Sequence, residues 1–319
     1  MPERSSVIID LKFDPQIVAT ALSKSFQDRE TINLADPRVG KRDLKGIDYA
    51  VIWKPQPDLF ARAPDLKVIF SGGAGVDHIL ATDGLPDVPL VRFVDESLTT
   101  RMSEWVVLQC LAHLRQVRSY ERQARDRIWR ELPQPEAKDV TVGIMGMGVL
   151  GQDAARKLKL MGFDVIGWSR RKHEIQGIET FDADGLDAFL ARTDFLVGLL
   201  PLTVETTGIF DKKVFSKLRQ GGPLGKPVFI NAGRGKSQVE TDLTAALTDG
   251  ILGGASLDVF EIEPLPAASP FWAMENVILT PHAAAASDVD ALFRHVETQI
   301  GRFERGEPLQ YLVDRAGGY

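Results

Sequence analysis

Arg234, Glu263 and His282 put a guanidinium, a carboxylate and an imidazole in the last third of a 319-residue chain. Each belongs to a short motif after an apolar run: Asn231-Ala232-Gly233-Arg234-Gly235, Asp258-Val259-Phe260-Glu261-Ile262-Glu263-Pro264 and Thr280-Pro281-His282. A guanidinium binds a carboxylate through two parallel hydrogen bonds, and an imidazole can give a proton to an alkoxide as it forms. A carboxylate beside that imidazole fixes its orientation and favours its protonated form. These types suit reduction of a 2-oxo acid, with Arg234 on the substrate carboxylate, His282 as general acid and Glu263 as its partner. Singly, each has a plainer reading: a surface or core histidine, a loop cation, a solvated acid.

A second constellation could hold the reductant. The apolar run Val140-Thr141-Val142-Gly143-Ile144 leads into Gly146-Met147-Gly148-Val149-Leu150-Gly151 and then a helical pattern through Leu158 and Met161. In this strand–turn–helix setting Gly146 permits the tight turn, Gly148 lets backbone approach a pyrophosphate, and Gly151 allows close packing of helix on strand. The helix N-terminus attracts the phosphate charge. A bare GxGxxG is also compatible with a flexible turn; the flanking strand and helix favour dinucleotide binding.

Where the next strand ends, an acidic residue would bind a ribose 2′-hydroxyl. The chain has Ser169-Arg170-Arg171-Lys172 there. A serine can hydrogen-bond a 2′-phosphate and a guanidinium can pair with it, so NADPH is the expected cofactor, with NADH possible. The alternative is a run of solvated cations. Leu200 and Pro201, at the end of the run Phe195–Leu200, and Asp258, at the end of Gly253–Asp258, complete the cofactor-binding candidates.

These residues need a scaffold that brings strand ends together. Val7–Asp10, Tyr49–Trp53, Val68–Ser71 and Leu90–Val94 read as strands of a first βα series, and Ser103 to Arg118 as a long helix leading out of it. Val140–Met145, Asp164–Trp168, Phe195–Leu200, Val228–Asn231, Gly253–Asp258 and Val277–Thr280 form a second series. Ser287 with Asp290 marks the start of an amphipathic terminal helix. The expected fold is α/β, with two doubly wound parallel-sheet domains: a Rossmann-type coenzyme domain and a flavodoxin-like substrate domain, with a cleft between them. The expected boundaries are 1–103 with 284–319 for the substrate domain and 104–283 for the NAD(P) domain.

Composition narrows the class. Charged residues are 26% and apolar residues 44% of the chain, which is ordinary for a globular protein. The net charge of −6, with no long basic run, gives no footprint for nucleic acid. Cys110 is the single cysteine, so an intrachain disulfide is impossible, and an inert buried thiol is expected. The opening run Val7-Ile8-Ile9 is too short for a signal peptide, and no apolar stretch is long enough to span a membrane. No metal site is expected, and the cytoplasm is the expected location.

Through GMGVLG, NAGRG, ASLDVFEIEPLP and TPHAAA, in that order and over essentially its whole length, the chain resembles the D-isomer-specific 2-hydroxyacid dehydrogenase family. The resemblance implies that Arg234, Glu263 and His282 form the catalytic triad. It also implies that backbone amides of the loop Ser71–Asp77, here Gly73, Ala74 and Gly75, hold the substrate carboxylate. That loop, Trp53, Met102-Ser103-Glu104-Trp105 and the Ser169–Arg170 pair look most like the glyoxylate/hydroxypyruvate reductase A group. Trp53 would then line the substrate pocket; the plain reading is a buried strand tryptophan. A homodimer built through the nucleotide-binding domains is implied, with a small 2-oxo acid as substrate. One departure is Arg219–Pro227, longer and richer in Gly and Pro than the family's usual link. The alternatives are a reductase of larger 2-oxo acids such as phenylpyruvate and a nicotinamide-sensing corepressor-like protein.

Overall fold

A computed structural model describes residues 5–40, 42–171 and 173–318. The opening residues 1–4 and Lys172, third of the expected cations, lie outside them. The chain divides into two compact units, Met1–Leu98 with Ser287–Tyr319 and Thr99–Ala286.

The first unit contains β1 (Ser6–Leu11), α1 (Pro15–Leu22), β2 (Glu30–Asn33), β3 (Tyr49–Trp53), α2 (Leu59–Arg62), β4 (Val68–Ser71), α3 (Asp77–Leu80) and β5 (Leu90–Val91). Its strands pair in the order β2-β1-β3-β4-β5, all parallel, which is the flavodoxin-like arrangement. Both faces of a parallel sheet are covered, so its strands are apolar runs rather than alternating ones; every residue of β1 is buried. β2 escapes the sequence reading because it is a short edge strand of mixed polarity, Glu-Thr-Ile-Asn, with Ile32 alone buried.

α4 (Glu96–Leu114) and α5 (Val117–Arg125) follow, where one helix over 103–118 is expected. The chain turns at Gln116, whose φ of 55° is left-handed and ends the first helix. No glycine marks the place, so apolar periodicity runs on across the break.

The second unit continues with β6 (Thr141–Met145), α6 (Val149–Leu160), β7 (Asp164–Trp168), β8 (Glu179–Phe181), α7 (Leu186–Arg192), β9 (Phe195–Gly198), α8 (Lys212–Lys217), β10 (Val228–Asn231), α9 (Glu240–Thr248), β11 (Gly254–Leu257) and β12 (Val277–Leu279). The strand order β12-β11-β10-β9-β6-β7-β8 is parallel throughout, a doubly wound Rossmann-type sheet. It has seven strands where six are expected, the extra one being the half-buried three-residue edge β8. The unusual Arg219–Pro227 segment makes a tight turn, with Gly225 N donating to Gly222 O and Gly221 N to Gly225 O. It precedes β10, at the opposite end of the sheet from Asn231, so the departure leaves the motif end of that strand intact.

α10 (Val289–Glu304) returns the chain to the first unit. Its cap is Asp288, whose carboxylate accepts from Ala291 N at 2.9 Å, rather than Ser287. Arg29 on the β2 side grips Glu304 at the far end of α10 through both guanidinium nitrogens, at 2.6 and 2.7 Å. That carboxylate also accepts from Ser5 and Tyr49, and the Arg29 guanidinium holds it below its usual carboxyl range. Beyond α10, Arg92 N donates to Tyr311 O and Val313 N to Leu90 O, adding the tail to the β5 edge. No helix among the described residues is long and apolar enough to cross a membrane. Cys110 is buried, and burial pushes its thiol pKa up, which leaves it inert.

Candidate active site

β10, β11 and β12 are neighbours, and the loops at their C-terminal ends carry Arg234, Glu263 and His282. Open α/β sheets place ligands at this edge. The structure joins two of the three directly: Glu263 Oε2 lies 2.9 Å and Oε1 3.1 Å from His282 Nδ1. A carboxylate on Nδ1 accepts its proton and leaves Nε2 as the nitrogen for proton transfer. Glu263 is itself steadied by Phe260 N, which donates to Oε1 at 3.2 Å. The imidazole and the carboxylate are both part-exposed, with side chains 37% and 23% accessible, so a ligand can reach the pair.

His282 has a φ of 53°, in the left-handed region that a non-glycine residue occupies only where its surroundings hold it. The holder is Asp258, 1% exposed. Its Oδ1 accepts from Thr280 Oγ1 at 2.5 Å and Ala283 N at 2.8 Å, its Oδ2 from Ala284 N at 3.0 Å, and its carbonyl from His282 N at 2.8 Å. Asp258 is expected to contact the cofactor; in the structure its carboxylate is turned into the chain and builds the histidine turn. Sequence reading missed Thr280 as part of this bracing, although its place two residues before His282 is a usable signal.

Arg234 is framed by buried amides. Asn231, fully buried, accepts from Gly233 N at 3.0 Å and donates to Arg234 O at 3.2 Å and to Gln238 Oε1 at 2.9 Å. Gln238 donates in turn to Val259 O at 3.2 Å, tying the loop after β10 to the one after β11. A Cβ at Gly235 would lie 1.9 Å from the Phe260 carbonyl, so that glycine is needed for the two loops to meet. Gln238 carries no motif and stands among polar residues, Lys236-Ser237 before it and Glu240-Thr241-Asp242 after Val239, so no local signal marks it in the sequence.

The glycine fingerprint spans the turn from β6 to α6. A Cβ at Gly146, whose φ is 113°, would lie 2.6 Å from Leu199 O, and one at Gly151 would lie 2.0 Å from Gly146 O. A Cβ at Gly148 would meet nothing within 4 Å. The fold therefore explains two of the three glycines, and the third leaves a bare patch of backbone that suits a pyrophosphate. α6 has no side-chain cap, and among the described residues the amides of Met147 to Gly151 have no acceptor outside the helix, so they are available to an anion. The Met147 side chain is 1% exposed and packs on Gly167, so Met147 offers a ligand its backbone alone. Val149 is exposed, and Leu150 half-buried. Leu200 backbone runs beside both Gly146 and Gly233, and Pro201 O accepts from Thr206 Oγ1 at 2.6 Å, which braces the turn after β9.

Ser169, 9% exposed, directly follows β7, and Arg170 and Arg171 after it are exposed. Ser169 Oγ donates to Arg171 O at 2.8 Å, so the hydroxyl already shapes the turn that presents the cations. Among the described residues, no group of three or more His, Cys, Asp or Glu side chains could hold a metal ion.

In the first unit, the loop after β4 is tied by Ser71 Oγ, which accepts from Gly73 N at 3.3 Å and donates to Gly75 O at 3.2 Å. Gly73 O accepts from Phe93 N. Among the described residues, the Ala74 and Gly75 amides have no acceptor, in contrast to that of Gly73. Trp53, half-buried at the end of β3, lies directly against Gly72 and Gly73: a Cβ on Gly73 would be 2.5 Å from its ring.

Residues 107–284 match the family described as D-isomer specific 2-hydroxyacid dehydrogenase, NAD binding domain. Over 284 residues the chain is 39% identical to the glyoxylate/hydroxypyruvate reductase A of Escherichia fergusonii, covering 87% of this chain and 89% of that one. Among solved structures, an NADPH-dependent glyoxylate/hydroxypyruvate reductase of Sinorhizobium meliloti, in complex with NADP and sulfate, is 68% identical with a TM-score of 0.98, covering 99% of this chain and all of that one. A probable 2-hydroxyacid dehydrogenase of Rhizobium etli, in complex with NADP, HEPES and L(+)-tartaric acid, is 63% identical with a TM-score of 0.94 at the same coverage.

Proposed function

Because the chain belongs to the D-isomer specific 2-hydroxyacid dehydrogenase family, we propose that it reduces a small 2-oxo acid of the glyoxylate or hydroxypyruvate type to the D-2-hydroxy acid, using NADPH. The observation that carries this reading is the Glu263–His282 pair, held at 2.9 Å on a strained, braced turn in the same sheet as the glycine fingerprint. NADPH, when bound, would supply the hydride for the carbonyl carbon. His282 Nε2 gives the proton to the carbonyl oxygen, while Glu263 keeps Nδ1 occupied and the ring aligned. Arg234 takes the substrate carboxylate and sets the face presented to the hydride. In the first unit, the resemblance gives the loop Gly73, Ala74 and Gly75 the role of holding a carboxylate, through the Ala74 and Gly75 amides, and gives Trp53, which packs against that loop, a place in the substrate pocket.

For the cofactor, Gly146, Gly148 and Gly151 with the amides from Met147 to Leu150 would cradle the pyrophosphate. Leu200 and Pro201 would border the nicotinamide half. Ser169, Arg170 and Arg171 would surround the 2′-phosphate, where an acidic residue would repel it. Asp258 would act by fixing the His282 turn.

A homodimer through the second unit fits the apolar side chains it exposes: Trp129 is fully exposed, and Leu108 and Ile128 are 59% and 47% accessible. A cytoplasmic location fits the single buried thiol. The test is NADPH and NADH oxidation with glyoxylate, hydroxypyruvate and phenylpyruvate, alongside light scattering for mass. Fast turnover of the first two with NADPH supports the proposal; preference for phenylpyruvate, or cofactor binding without turnover of any 2-oxo acid, rejects it.

A further inference from the structure

The glycine loop of the first unit leans on a side chain that is itself held. Trp53 lies against Gly72 through its Cβ and covers Gly73 with its indole, so closely that a Cβ on Gly73 would lie 2.5 Å from Cζ3 and 2.9 Å from Cη2. The indole also meets the imidazole of His78, with ring centroids 4.3 Å apart and planes at 66°, an edge-to-face contact. Phe13 lies at 6.2 Å from the indole. His78 stands on α3, the short helix that continues the loop, and α3 is anchored by Val76 and Ile79, 3% and 0% exposed, in the core of the first unit. Ile79 N and Leu80 N both donate to Val76 O, so the turn bearing His78 is closed on its anchor.

The order of support is therefore core, α3, His78, Trp53, Gly73. Gly73 O is fixed by Phe93 N and its amide by Ser71, whereas the next two amides, of Ala74 and Gly75, have no acceptor among the described residues. Two amides can bind a carboxylate well only if both keep their direction, and an offset near 1 Å is enough to degrade such a site.

We infer that His78 is a positioning residue for substrate binding: it clamps Trp53 on Gly72 and Gly73 and so fixes the Ala74 and Gly75 amides. This rests on the reading of that loop as the carboxylate cradle. His78 touches neither substrate nor cofactor in this role, so its loss weakens substrate binding and leaves cofactor binding alone.

The experiment compares His78→Ala, His78→Phe and Gly73→Ala in the full chain, measuring KM for glyoxylate, kcat, KM for NADPH and the thermal midpoint. His78→Leu, which keeps bulk without an aromatic edge, replaces the alanine variant if that one does not fold. The expected result is a rise in KM for glyoxylate of about three- to tenfold in His78→Ala, the size of one aromatic pair contact, with KM for NADPH unchanged. His78→Phe restores KM, which a merely structural loss of histidine would not predict. The inference is overturned if His78→Ala keeps the wild-type KM while Gly73→Ala raises it, or if the phenylalanine variant is as impaired as the alanine one. If Gly73→Ala also keeps the wild-type KM, the cradle reading itself falls, and the inference with it.

Discussion

Each unit carries a glycine-rich loop at the C-terminal end of a parallel strand, yet the two loops are fixed by different means. After β6, Gly146 and Gly151 are demanded by backbone: Leu199 O and Gly146 O stand where side chains would go. After β4, Gly73 is demanded by a side chain, the Trp53 ring. A loop whose glycines are fixed by backbone is as rigid as the sheet it belongs to, whereas a glycine packed under an indole depends also on whatever holds the indole. The cofactor loop can thus be read from three glycines and a helix. The loop after β4 cannot, because its packing also rests on residues 53 and 78.

The largest effect should separate chemistry from both loops. His282→Ala and Arg234→Ala should each lower kcat for glyoxylate reduction by roughly 10²–10⁴-fold, because general acid catalysis and carboxylate positioning are lost, while NADPH affinity stays near wild type. Equal losses in turnover and NADPH affinity would mean that the strand-end loops act as one unit and would break the comparison.

Acid should weaken the second unit from beneath its strands rather than at its loops. His113 on α4 bonds Ser256 of β11 at 2.9 Å, and Ser256 donates to Gln109 at 2.9 Å. Burial pushes the His113 pKa down to about 4. An unfolded histidine titrates near 6.5, so between that value and about 4 the unfolded state binds the extra proton. Stability contributed by the neutral, buried ring is complete above pH 6.5 and falls as pH drops to 4, by about 3 kcal/mol at most. Urea unfolding at stepped pH should show this slope, and His113→Gln should flatten it; an unchanged slope would mean the ring is protonated in place.

Cofactor choice should respond next. Arg170→Ala should raise KM for NADPH about tenfold or more and leave NADH little changed, since a hydrogen bond to a charged group contributes roughly 1.5–3 kcal/mol. Ser169→Asp should move the preference towards NADH. Steady-state kinetics with both cofactors decides it: a Ser169→Asp variant that still favours NADPH undiminished would leave these cations as a solvated run.

The smallest effect sharpens the glycine comparison itself. Gly148→Ala should keep the thermal midpoint and weaken NADPH binding several-fold, because open space there belongs to the ligand. Gly151→Ala should instead cost about 1–3 kcal/mol of stability, because its Cβ would meet Gly146 O at 2.0 Å. Matching stability losses in both variants would erase the distinction between a glycine kept for the fold and one kept for the cofactor.

What the sequence revealed follows the same division. Parallel strands buried on both faces are apolar runs, so β3, β4, β7 and β10 stand in the structure at the expected residues. The edge strands β2 and β8 are short and polar, and the break at Gln116 rests on one dihedral angle, so apolar patterning registers none of them. Asp258, Gln238 and His78 act through bonds and ring contacts made to residues distant in the chain, which no local spacing encodes.

The first unit is assembled from both ends of the chain, with α10 gripped by Arg29 through Glu304 and the tail paired on the β5 edge. The second unit is one continuous stretch, Thr99–Ala286. On a ribosome, the sheet of the first unit emerges first but lacks α10 until residues 289–304 have been made, whereas the Rossmann-type sheet can close before them. Domains generally fold as units, so the usual N-to-C order should be inverted here, with the nucleotide-binding unit folding ahead of the segment that precedes it. A nascent chain stalled before α10 should accordingly resist protease over residues 99–286 and remain cleavable before residue 98.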